Sequence, residues 1–319
     1  MGRKVGDRMN IEKEKRAIEY IKTFQPPNDP YYLCYSGGKD SDTIRILANL
    51  AGVDYDCVHN LTTVDAPETV NYVKSVMETY GERKSYRNEE GQMVYQYGDH
   101  GFIVLPKESM WQLIERKRMP PTRMVRYCCS ELKERGGKGR LRITGVRWAE
   151  SPKRKEMRGL VNISSKPKTT RKLADEYGID YRTNSRGGIV LNDDNSDSRR
   201  FVEQCYRTRT AMLNPIVDWT DDDVWEFLEH YGCKSNPLYA QGYKRIGCIG
   251  CPMGGSKGQK KGFAAYPKIE RNYIKAFDRM VAARIRDGLP TEWKDGEDVM
   301  AWWIGDKKKE RYRDYTEGE

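Results

Sequence analysis

Six consecutive residues have the side-chain types of a phosphate-binding loop: Ser36, Gly37, Gly38, Lys39, Asp40 and Ser41. Two glycines allow a tight turn and a close backbone approach, and the amides at the start of a following helix attract anions. Lys39 adds a positive charge, and the two serines add hydroxyl donors. A plain strand-to-helix turn is the alternative. Because an apolar strand precedes the loop and a helical pattern follows it, we interpret it as a nucleotide site.

The cysteines suggest a second kind of chemistry. The chain has eight of them, at positions 34, 57, 128, 129, 205, 233, 248 and 251. The pair Cys128-Cys129 and the pair Cys248-x-x-Cys251 are separated by 118 residues. Four thiolates suit either a tetrahedral zinc ion or an iron–sulfur cluster. Adjacent cysteines aim poorly at one small ion, which favours a cluster, while redox-active or merely buried thiols are also compatible with this spacing. Cys34 and Cys57 fall in predicted strands and are expected to be core residues.

Alternating strands and helices must position these groups. The pattern predicts strands at 31–35, 53–59 and 140–146, with helices at 11–24, 42–50, 68–80 and 109–118. Gly188–Leu191 is a further strand candidate. Thr220 is expected to cap a helix with Asp223 in its first turn, and Pro267–Arg286 to form a long helix. We therefore predict an α/β fold with a doubly wound parallel sheet and ligands at the carboxyl ends of its strands.

Composition limits the partners and the location. The net charge of +10 suits polyanions, including nucleotides and nucleic acids. No apolar run is long enough to span a membrane, and the first residues lack a signal core, so we expect a cytoplasmic protein with no membrane partner. Residues 153–209 are polar and basic and predict an excursion or flap. We expect an N-terminal helix in 1–30, a nucleotide-binding domain over 31–252 that includes this basic insertion, and a helical C-terminal extension over 253–319.

Several segments resemble one known family. Ser-Gly-Gly-Lys-Asp-Ser at 36–41 resembles the PP-loop of the ATP pyrophosphatase (adenine nucleotide alpha-hydrolase) superfamily, and the wider pattern resembles the phosphoadenosine phosphosulfate reductase family within it. The segment ending Pro67-Glu68-Thr69 matches the family, although Leu61-Thr62-Thr63 replaces the expected Asp-Thr-Gly. Residues 145–154 resemble its Gly-Val-Arg-x-x-Glu-Ser-x-x-Arg motif, and residues 214–219 its Pro-Ile-x-x-Trp entry to a helix.

The resemblance implies roles for individual residues. It places residues 36–41 and Glu68 against the nucleotide, with Mg²⁺ bound at Asp40. Lys39 and the loop amides would stabilise phosphate charge, while Arg147 and Arg154 would hold an acceptor or leaving phosphate, because guanidinium groups pair bidentately with such oxygens. In a chain this charged, a lone arginine is more often only surface charge. Glu150 would orient one arginine or cap the segment.

The cysteines resemble the iron–sulfur branch of this family. That branch has a Cys-Cys pair and a distant Cys-x-x-Cys around a four-iron cluster, which implies Cys128, Cys129, Cys248 and Cys251 as ligands, with zinc as the alternative. Asn236-Pro237-Leu238-Tyr239 leads into Cys248 as in that branch. Reductases of the family carry a nucleophilic cysteine in a C-terminal segment, and this sequence has none after Cys251.

Three functions are compatible with these patterns. The first is an ATP-dependent sulfurtransferase similar to DNA phosphorothioation and tRNA thiolation enzymes, with a nucleic-acid or nucleotide acceptor, a sulfur-donor or reductant protein as partner, and the basic 153–209 region touching the nucleic acid. The second is a sulfonucleotide reductase that releases sulfite, with Cys205 or Cys233 as its nucleophile. The third is a non-catalytic nucleotide- or DNA-binding subunit.

Overall fold

The computed structural model describes residues 11–164 and 167–306. Within these residues ten strands form one sheet: β1 Tyr31–Cys34, β2 Tyr55–Asn60, β3 Arg83–Arg87, β4 Met93–Tyr97, β5 Gly101–Val104, β6 Arg142–Ile143, β7 Val161–Ser164, β8 Arg182–Thr183, β9 Ile189–Leu191 and β10 Thr210–Leu213. Their order across the sheet is β3-β4-β5-β2-β1-β6-β10-β7-β9-β8.

Twelve α-helices accompany the sheet within the described residues: α1 Ile11–Thr23, α2 Lys39–Ala51, α3 Pro67–Glu78, α4 Met110–Lys117, α5 Tyr127–Leu132, α6 Pro152–Met157, α7 Pro167–Glu176, α8 Ser196–Cys205, α9 Asp221–His230, α10 Gly255–Ala265, α11 Pro267–Arg286 and α12 Gly296–Trp303. In the same part of the chain, two single turns of 3₁₀-helix lie at Trp148–Glu150 and Pro252–Gly254. None of the described helices has the length and apolar character needed to cross a membrane.

The centre of the sheet is parallel and its two wings are antiparallel. Strands β5, β2, β1, β6 and β10 run parallel, while β3 and β4 on one side and β7, β9 and β8 on the other pair antiparallel. The predicted α/β class is confirmed, and the sheet is mixed where we expected it to be parallel throughout. Central β1 reads Tyr-Tyr-Leu-Cys and is buried along most of its length, as is typical of a strand covered on both faces.

Local sequence explains where the helices around the nucleotide loop begin and end. Helix α2 starts after Gly38, carries Asp40 and Asp42 in its first turn, and ends at Gly52 with φ +66°. Acidic residues near a helix N-terminus and a left-handed glycine after its last turn are both favourable. Thr220 caps α9 by accepting a hydrogen bond from the Asp223 amide, as predicted.

The residues that we expected to form a flap belong to the sheet. Between 153 and 209 the chain forms helices α6, α7 and α8 and strands β7, β8 and β9, and β7 pairs with β10. The candidate strand at Gly188–Leu191 is present as β9. Within the described part of this region, strands β7, β9 and β8 form the antiparallel wing, and helix α7 packs against β9.

The chain divides by packing into two units. Unit 1 comprises residues up to Asn60, Pro67–Val104 and Gly136–Ile246, and it contains the whole sheet. Unit 2 comprises Leu61–Ala66, Leu105–Arg135 and the residues from Gly247 onward. The sequence-based boundaries at 30/31 and 252/253 stay a prediction, because units grouped by packing need not coincide with domains.

Each unit has its own apolar core. In unit 1, Leu33 on β1, Cys57 on β2 and Leu47 on α2 are fully buried. In unit 2, helix α11 packs against α4 and α12. Tyr273 and Phe277 on α11 lie against the ring of Trp303 on α12, with ring centroids 4.9 and 5.3 Å away. This aromatic core positions the cysteine-bearing segments of unit 2.

Candidate functional site

Two glycines are required at the loop between β1 and α2, one inside the loop and one in a segment that packs against it. Gly37 has φ +72°, and a Cβ there would lie 2.7 Å from Val73 Cγ2. Gly145 follows β6, and a Cβ there would lie 2.7 Å from the carbonyl oxygen of Asp40. The glycine of the Gly-Val-Arg motif is therefore needed for the β6 end to approach the loop.

The serines of the loop stabilise its shape. The Gly38 amide donates to Ser41 Oγ at 3.1 Å, and Ser41 Oγ donates to the Gly38 carbonyl at 2.7 Å. Ser36 Oγ lies 3.2 Å from Ser41 Oγ. The predicted hydroxyl donors thus make hydrogen bonds inside the loop.

Four charged groups converge at the start of α2, and we call them the charge cluster: Lys39, Asp40, Arg147 and Asp221. Lys39 Nζ lies 3.0 Å from Asp40 Oδ1 and 2.7 Å from Asp221 Oδ1. Arg147 Nε donates to Asp40 at 2.7 Å and Arg147 Nη2 to Asp221 at 2.6 Å. The predicted residues Lys39, Asp40 and Arg147 are therefore brought together, and Asp221, which the sequence did not indicate, joins them.

The two cations of the charge cluster are buried, while Asp221 faces solvent. The side chains of Lys39 and Arg147 are 6% and 2% exposed, against 69% for Asp221. Hydrogen bonds from Lys39 and Arg147 lower the pKa of Asp221 to about 2. Burial works against the charge of Arg147, but Asp40 and Asp221 outweigh it and raise the pKa of that guanidinium. Lys39 and Arg147 are thus buried cations beside the N-terminus of α2. They would attract an anion strongly if one of their paired carboxylates moved away.

Two residues of the segment after α9 form hydrogen bonds to the backbone of the loop. Tyr239 accepts a hydrogen bond at 2.9 Å from the Lys39 amide, and Asn236 donates at 3.0 Å to the Gly37 carbonyl. From the sequence, both residues were connected only with the cysteine motif. The local sequence Asn-Pro-Leu-Tyr at 236–239 contains no pattern that would predict contact with the loop.

A buried polar network lies beneath the loop. Asp42, which is fully buried, accepts hydrogen bonds from Tyr35 at 2.6 Å and Tyr72 at 3.0 Å. Burial raises the pKa of Asp42 to about 6. Tyr72 also hydrogen-bonds Cys233, whose pKa is raised because the thiol is buried. Since a nucleophilic cysteine needs a lowered pKa, the environment of Cys233 does not favour that role.

Arg154 and Glu68 each lie on a helix, α6 and α3 respectively. Arg154 on α6 pairs with Glu150 Oε2 at 3.4 Å, and Glu150 Oε1 accepts the Arg147 amide at 3.2 Å. Glu150 therefore both pairs with an arginine and caps the segment, the two roles proposed for it from the sequence. Glu68 is the second residue of α3, directly before Thr69, whose hydroxyl accepts from Asn236 at 3.1 Å. The binding roles of Arg154 and Glu68 stay predictions.

All four cysteines proposed as ligands belong to unit 2. Cys128 and Cys129 are consecutive on the short helix α5, and Cys248 and Cys251 flank a turn before α10. Cys129 shares a hydrogen bond with Cys128, and this bond, burial and the thiols of Cys248 and Cys251 all raise the pKa of Cys128. The two segments, 118 residues apart in sequence, are therefore close enough in space for their thiols to interact electrostatically.

Cationic and polar groups surround these thiols. Arg126 donates to Cys129 Sγ at 3.4 Å, and Cys248 Sγ lies 3.4 Å from Thr62 Oγ1. The hydrogen bond from Cys128 and the charge of Arg126 lower the pKa of Cys129. Cys248 raises the pKa of Lys133. Within the part of the chain that the structure describes, no three His, Cys, Asp or Glu side chains are arranged to hold a metal ion.

The turn that carries Cys248 and Cys251 is fixed from three directions. The Ile249 amide donates to the Val64 carbonyl at 2.8 Å, and the Tyr273 hydroxyl donates to the Ile249 carbonyl at 3.2 Å. Gly250 has φ +71°, and a Cβ there would lie 2.5 Å from Phe263 Cζ. The turn therefore requires glycine between the two cysteines.

The remaining cysteines on the strands and on α8 behave as core residues. Burial raises the pKa of Cys34 to about 11, of Cys57 to about 12 and of Cys205 to about 11. Cys34 and Cys57 lie on β1 and β2, as predicted. Cys205 ends α8 and accepts a hydrogen bond from Arg209 at 3.8 Å. These are protonated thiols at neutral pH and are poor nucleophiles.

Comparisons with known proteins cover most of the chain. An uncharacterized protein of Methanocaldococcus jannaschii is 25% identical over 305 residues, which is 92% of this chain and 57% of that protein. A phosphoadenosine 5'-phosphosulfate reductase of Xylella fastidiosa is 51% identical over 43 residues, 14% of this chain and 18% of that protein. The chain thus spans little more than half the length of the first relative and far less of the second.

A solved structure and a domain family are also similar to this chain. The phosphoadenylyl-sulfate reductase from Candida auris, solved with phosphate, aligns with a TM-score of 0.41 and 14% identity, covering 78% of this chain and 96% of that one. The phosphoadenosine phosphosulfate reductase domain matches residues 30–253, which contain both the nucleotide loop and the four cysteines. This chain belongs to the phosphoadenosine phosphosulfate reductase family.

Proposed function

We propose that the chain is an ATP-dependent iron–sulfur sulfurtransferase that acts on a nucleic acid or nucleotide. The charge cluster carries the first part of this proposal. Two buried cations, Lys39 and Arg147, lie at the start of α2 with two carboxylates, Asp40 and Asp221, directly beside them. The cations suit phosphate oxygens, because an anion at a helix N-terminus gains from both the amides and the positive charges.

The carboxylates favour a metal-bound triphosphate over a metal-free sulfonucleotide. Carboxylates beside a phosphate repel it unless a divalent cation lies between them. Mg²⁺ in nucleotide sites is held by one or two carboxylates together with substrate phosphates. Asp40 and Asp221 fit that donor set, and Mg²⁺ would neutralise phosphate charge there. This is the observation on which we base the choice of ATP.

The residues then have defined roles. An acceptor oxygen attacks the α-phosphorus of ATP and pyrophosphate leaves, while Lys39, Arg147 and the loop amides stabilise the charge that moves onto the phosphate oxygens. A sulfur nucleophile from a donor next displaces AMP and takes the place of the activated oxygen. Tyr239 and Asn236 position the loop, and Glu150 holds Arg154 for the acceptor or leaving phosphate.

The four thiols of unit 2 support the iron–sulfur part of the proposal. Cys128 and Cys129 leave α5 about 100° apart, so their sulfurs suit two corners of a cluster better than one ion. Four-iron clusters take four cysteine thiolates, and the Arg126 cation beside Cys129 favours the thiolate form of that residue. Such a cluster would supply sulfur or electron chemistry when bound.

One experiment separates the candidate activities. The anaerobically purified chain is given Mg-ATP with nucleic acid or, separately, an activated sulfate, and pyrophosphate and sulfite are both measured. We expect Mg²⁺-dependent pyrophosphate release, reduced about a hundredfold or more by Lys39→Ala, because that charge stabilises the phosphates. Lys74→Ala on the exposed face of α3 is the matched control and should leave the rate unchanged.

The remaining outcomes point to different functions. Sulfite without pyrophosphate would identify a sulfonucleotide reductase and refute the sulfurtransferase proposal. ATP binding without either product would favour a non-catalytic nucleotide-binding subunit. Iron and sulfide analysis of the same sample tests the cluster separately, and zinc in place of iron would overturn that part of the proposal.

A further inference from the structure

The segment after the second cysteine motif has an unusual charge distribution. Residues 247–269 contain no aspartate or glutamate, although such residues make up 47 of the 319 in the chain. The same segment contains four lysines, at 257, 260, 261 and 268, and all four are exposed. The charged side chains of this segment are therefore all positive.

Three of these lysines lie on one face of α10. Residues three and four apart share a helix face, so Lys257, Lys260 and Lys261 project within one arc. The opposite face carries the buried residues Gln259, Gly262 and Phe263. Gln259 donates to the Gly250 carbonyl at 3.2 Å, so this buried face packs on the turn between Cys248 and Cys251. The lysine face therefore lies directly behind the cysteine turn and points to solvent.

The geometry fits a polymer of phosphates better than a single nucleotide. Nucleotide sites are concave, whereas α10 presents a convex, exposed helix surface. Lys257 and Lys261 are about 6 Å apart along the helix axis, and successive phosphates of one strand advance about 3.4 Å along the axis of a duplex, so the two lysines can contact neighbouring phosphates. Gly254 and Gly258 are also exposed, and because they have no side chain, a phosphodiester backbone could approach the helix closely there.

Three positive charges of the basic 153–209 region lie next to carboxylates of the same helix. Arg199 pairs with Glu203 at 3.6 Å, Arg200 with Asp197 at 3.9 Å and Lys172 with Glu176 at 3.9 Å. These carboxylates offset the positive charges locally. On α10, Lys260 is likewise paired, with Asp306, but its partner belongs to a different segment of the chain.

We propose that the lysine face of α10, formed by Lys257, Lys260 and Lys261, is the surface on which this protein binds the phosphodiester backbone of a nucleic acid. The inference rests on the proposed function in one respect, because it names the acceptor class of that enzyme. It differs from the sequence-based expectation, which assigned the nucleic-acid contact to residues 153–209.

The test compares two variants that each remove three positive charges. Binding of the full chain to a short fluorescein-labelled DNA duplex, and to an RNA hairpin, is followed by anisotropy between about 50 and about 200 mM salt. The variant K257Q/K260Q/K261Q should weaken binding and reduce the slope of log K against log salt by about 2 to 3, since each phosphate contact contributes about 0.9. The control K172Q/R199Q/R200Q should keep the slope of the parent chain.

Each outcome decides the proposal. An unchanged slope in the α10 variant, an equal loss in both variants, or no binding by the parent chain would overturn it, and a loss only in the control would assign the contact to the 153–209 region. The polymer bound more tightly, DNA or RNA, identifies the source of the phosphodiester. ATP binding is measured without nucleic acid on the same variants, so a failure of the nucleotide function and a failure of this surface give separate results.

Discussion

Asp221→Asn tests whether an exposed carboxylate competes with phosphate for Lys39 and Arg147, the buried cations of the charge cluster. Asparagine keeps the size of the side chain and removes its charge. Lys39 and Arg147 would then have one negative partner, Asp40, in place of two. We expect a phosphate ligand without metal, such as ADP or pyrophosphate in EDTA, to bind more tightly to the variant.

The size of the effect follows from the ion pairs. Hydrogen bonds from Lys39 and Arg147 lower the pKa of Asp221 from 3.8 to about 2, and such a shift corresponds to roughly 2.5 kcal/mol. Because 69% of the side chain is exposed, solvent screening reduces this to about 1 kcal/mol. The affinity should therefore rise about fivefold. The lowered pKa means that the pair is intact above pH 4 and is lost only as the pH falls toward 2, so the gain should be constant from pH 5 to 8.

The assay is isothermal titration calorimetry at low salt with Asp222→Asn as the control. Asp222 is the next residue of α9 and carries the same charge on an exposed side chain. The control should leave the affinity within twofold of the parent chain. An affinity of Asp221→Asn that is unchanged or lower in EDTA would refute the competition. A lower affinity seen only with Mg²⁺ would support the proposed role of Asp221 beside the metal.

Three further predictions concern the loop, its buried base and the thiols. Gly37→Ala should abolish ATP binding and should lower stability by about 1 to 3 kcal/mol more than the control Gly52→Ala. Both glycines have positive φ, but only a side chain at position 37 would clash with a neighbour. Equal melting temperatures of the two variants would contradict this. The buried Asp42 has a pKa raised to about 6, so it binds a proton more tightly in the folded chain than in the unfolded chain. The free energy of unfolding should therefore fall by up to about 3 kcal/mol between pH 4 and pH 6. In urea titrations Asp42→Asn should remove this pH dependence, and an unchanged dependence would show that other groups cause it. Cys251→Ser should remove most iron and visible absorbance from the purified chain while Cys57→Ser retains both, and the reverse result would exclude the proposed ligands.

Elements with strong local signals could be predicted from the sequence. The apolar run of β1, the glycines of the loop and the periodic pattern of α2 together indicated the position of the nucleotide site. Thr220 before an acidic first turn correctly predicted the start of α9. In each case the signal is local, since capping and periodicity act within a few residues.

Elements whose stability comes from distant partners could not be predicted. Strand β3, Arg83–Arg87, is exposed along its whole length and has no apolar alternation, so only its pairing with β4 defines it. Helix α10 contains three glycines, which disfavour a helix, and it forms because Phe263 packs on the cysteine turn. Among the wing strands, β9 was predicted from its apolar run, whereas β3 was missed because its sequence carries no such signal.

The charge cluster also contains both residues that the sequence could predict and residues that it could not. Lys39, Asp40 and Arg147 were recognisable from motif residues, because each lies in a segment with a family pattern. Asp221 and Tyr239 reach the loop from 182 and 200 residues farther along the chain. Nothing in the sequence around them records that contact, since it depends on how α9 and the following segment pack against α2.

The division of unit 2 into three separate segments has a consequence for synthesis of the protein. Cys128 and Cys129 are made while 118 residues still separate them from Cys248. At a typical rate of about 5 to 20 residues per second, their thiols wait roughly 6 to 24 seconds for their partners. Tyr273, which holds the Cys248–Cys251 turn, is made later still. Throughout that interval the two early thiols are open to oxidation or to stray metal ions, so the yield of correctly assembled protein should depend on how reducing the surroundings are while the chain is being made.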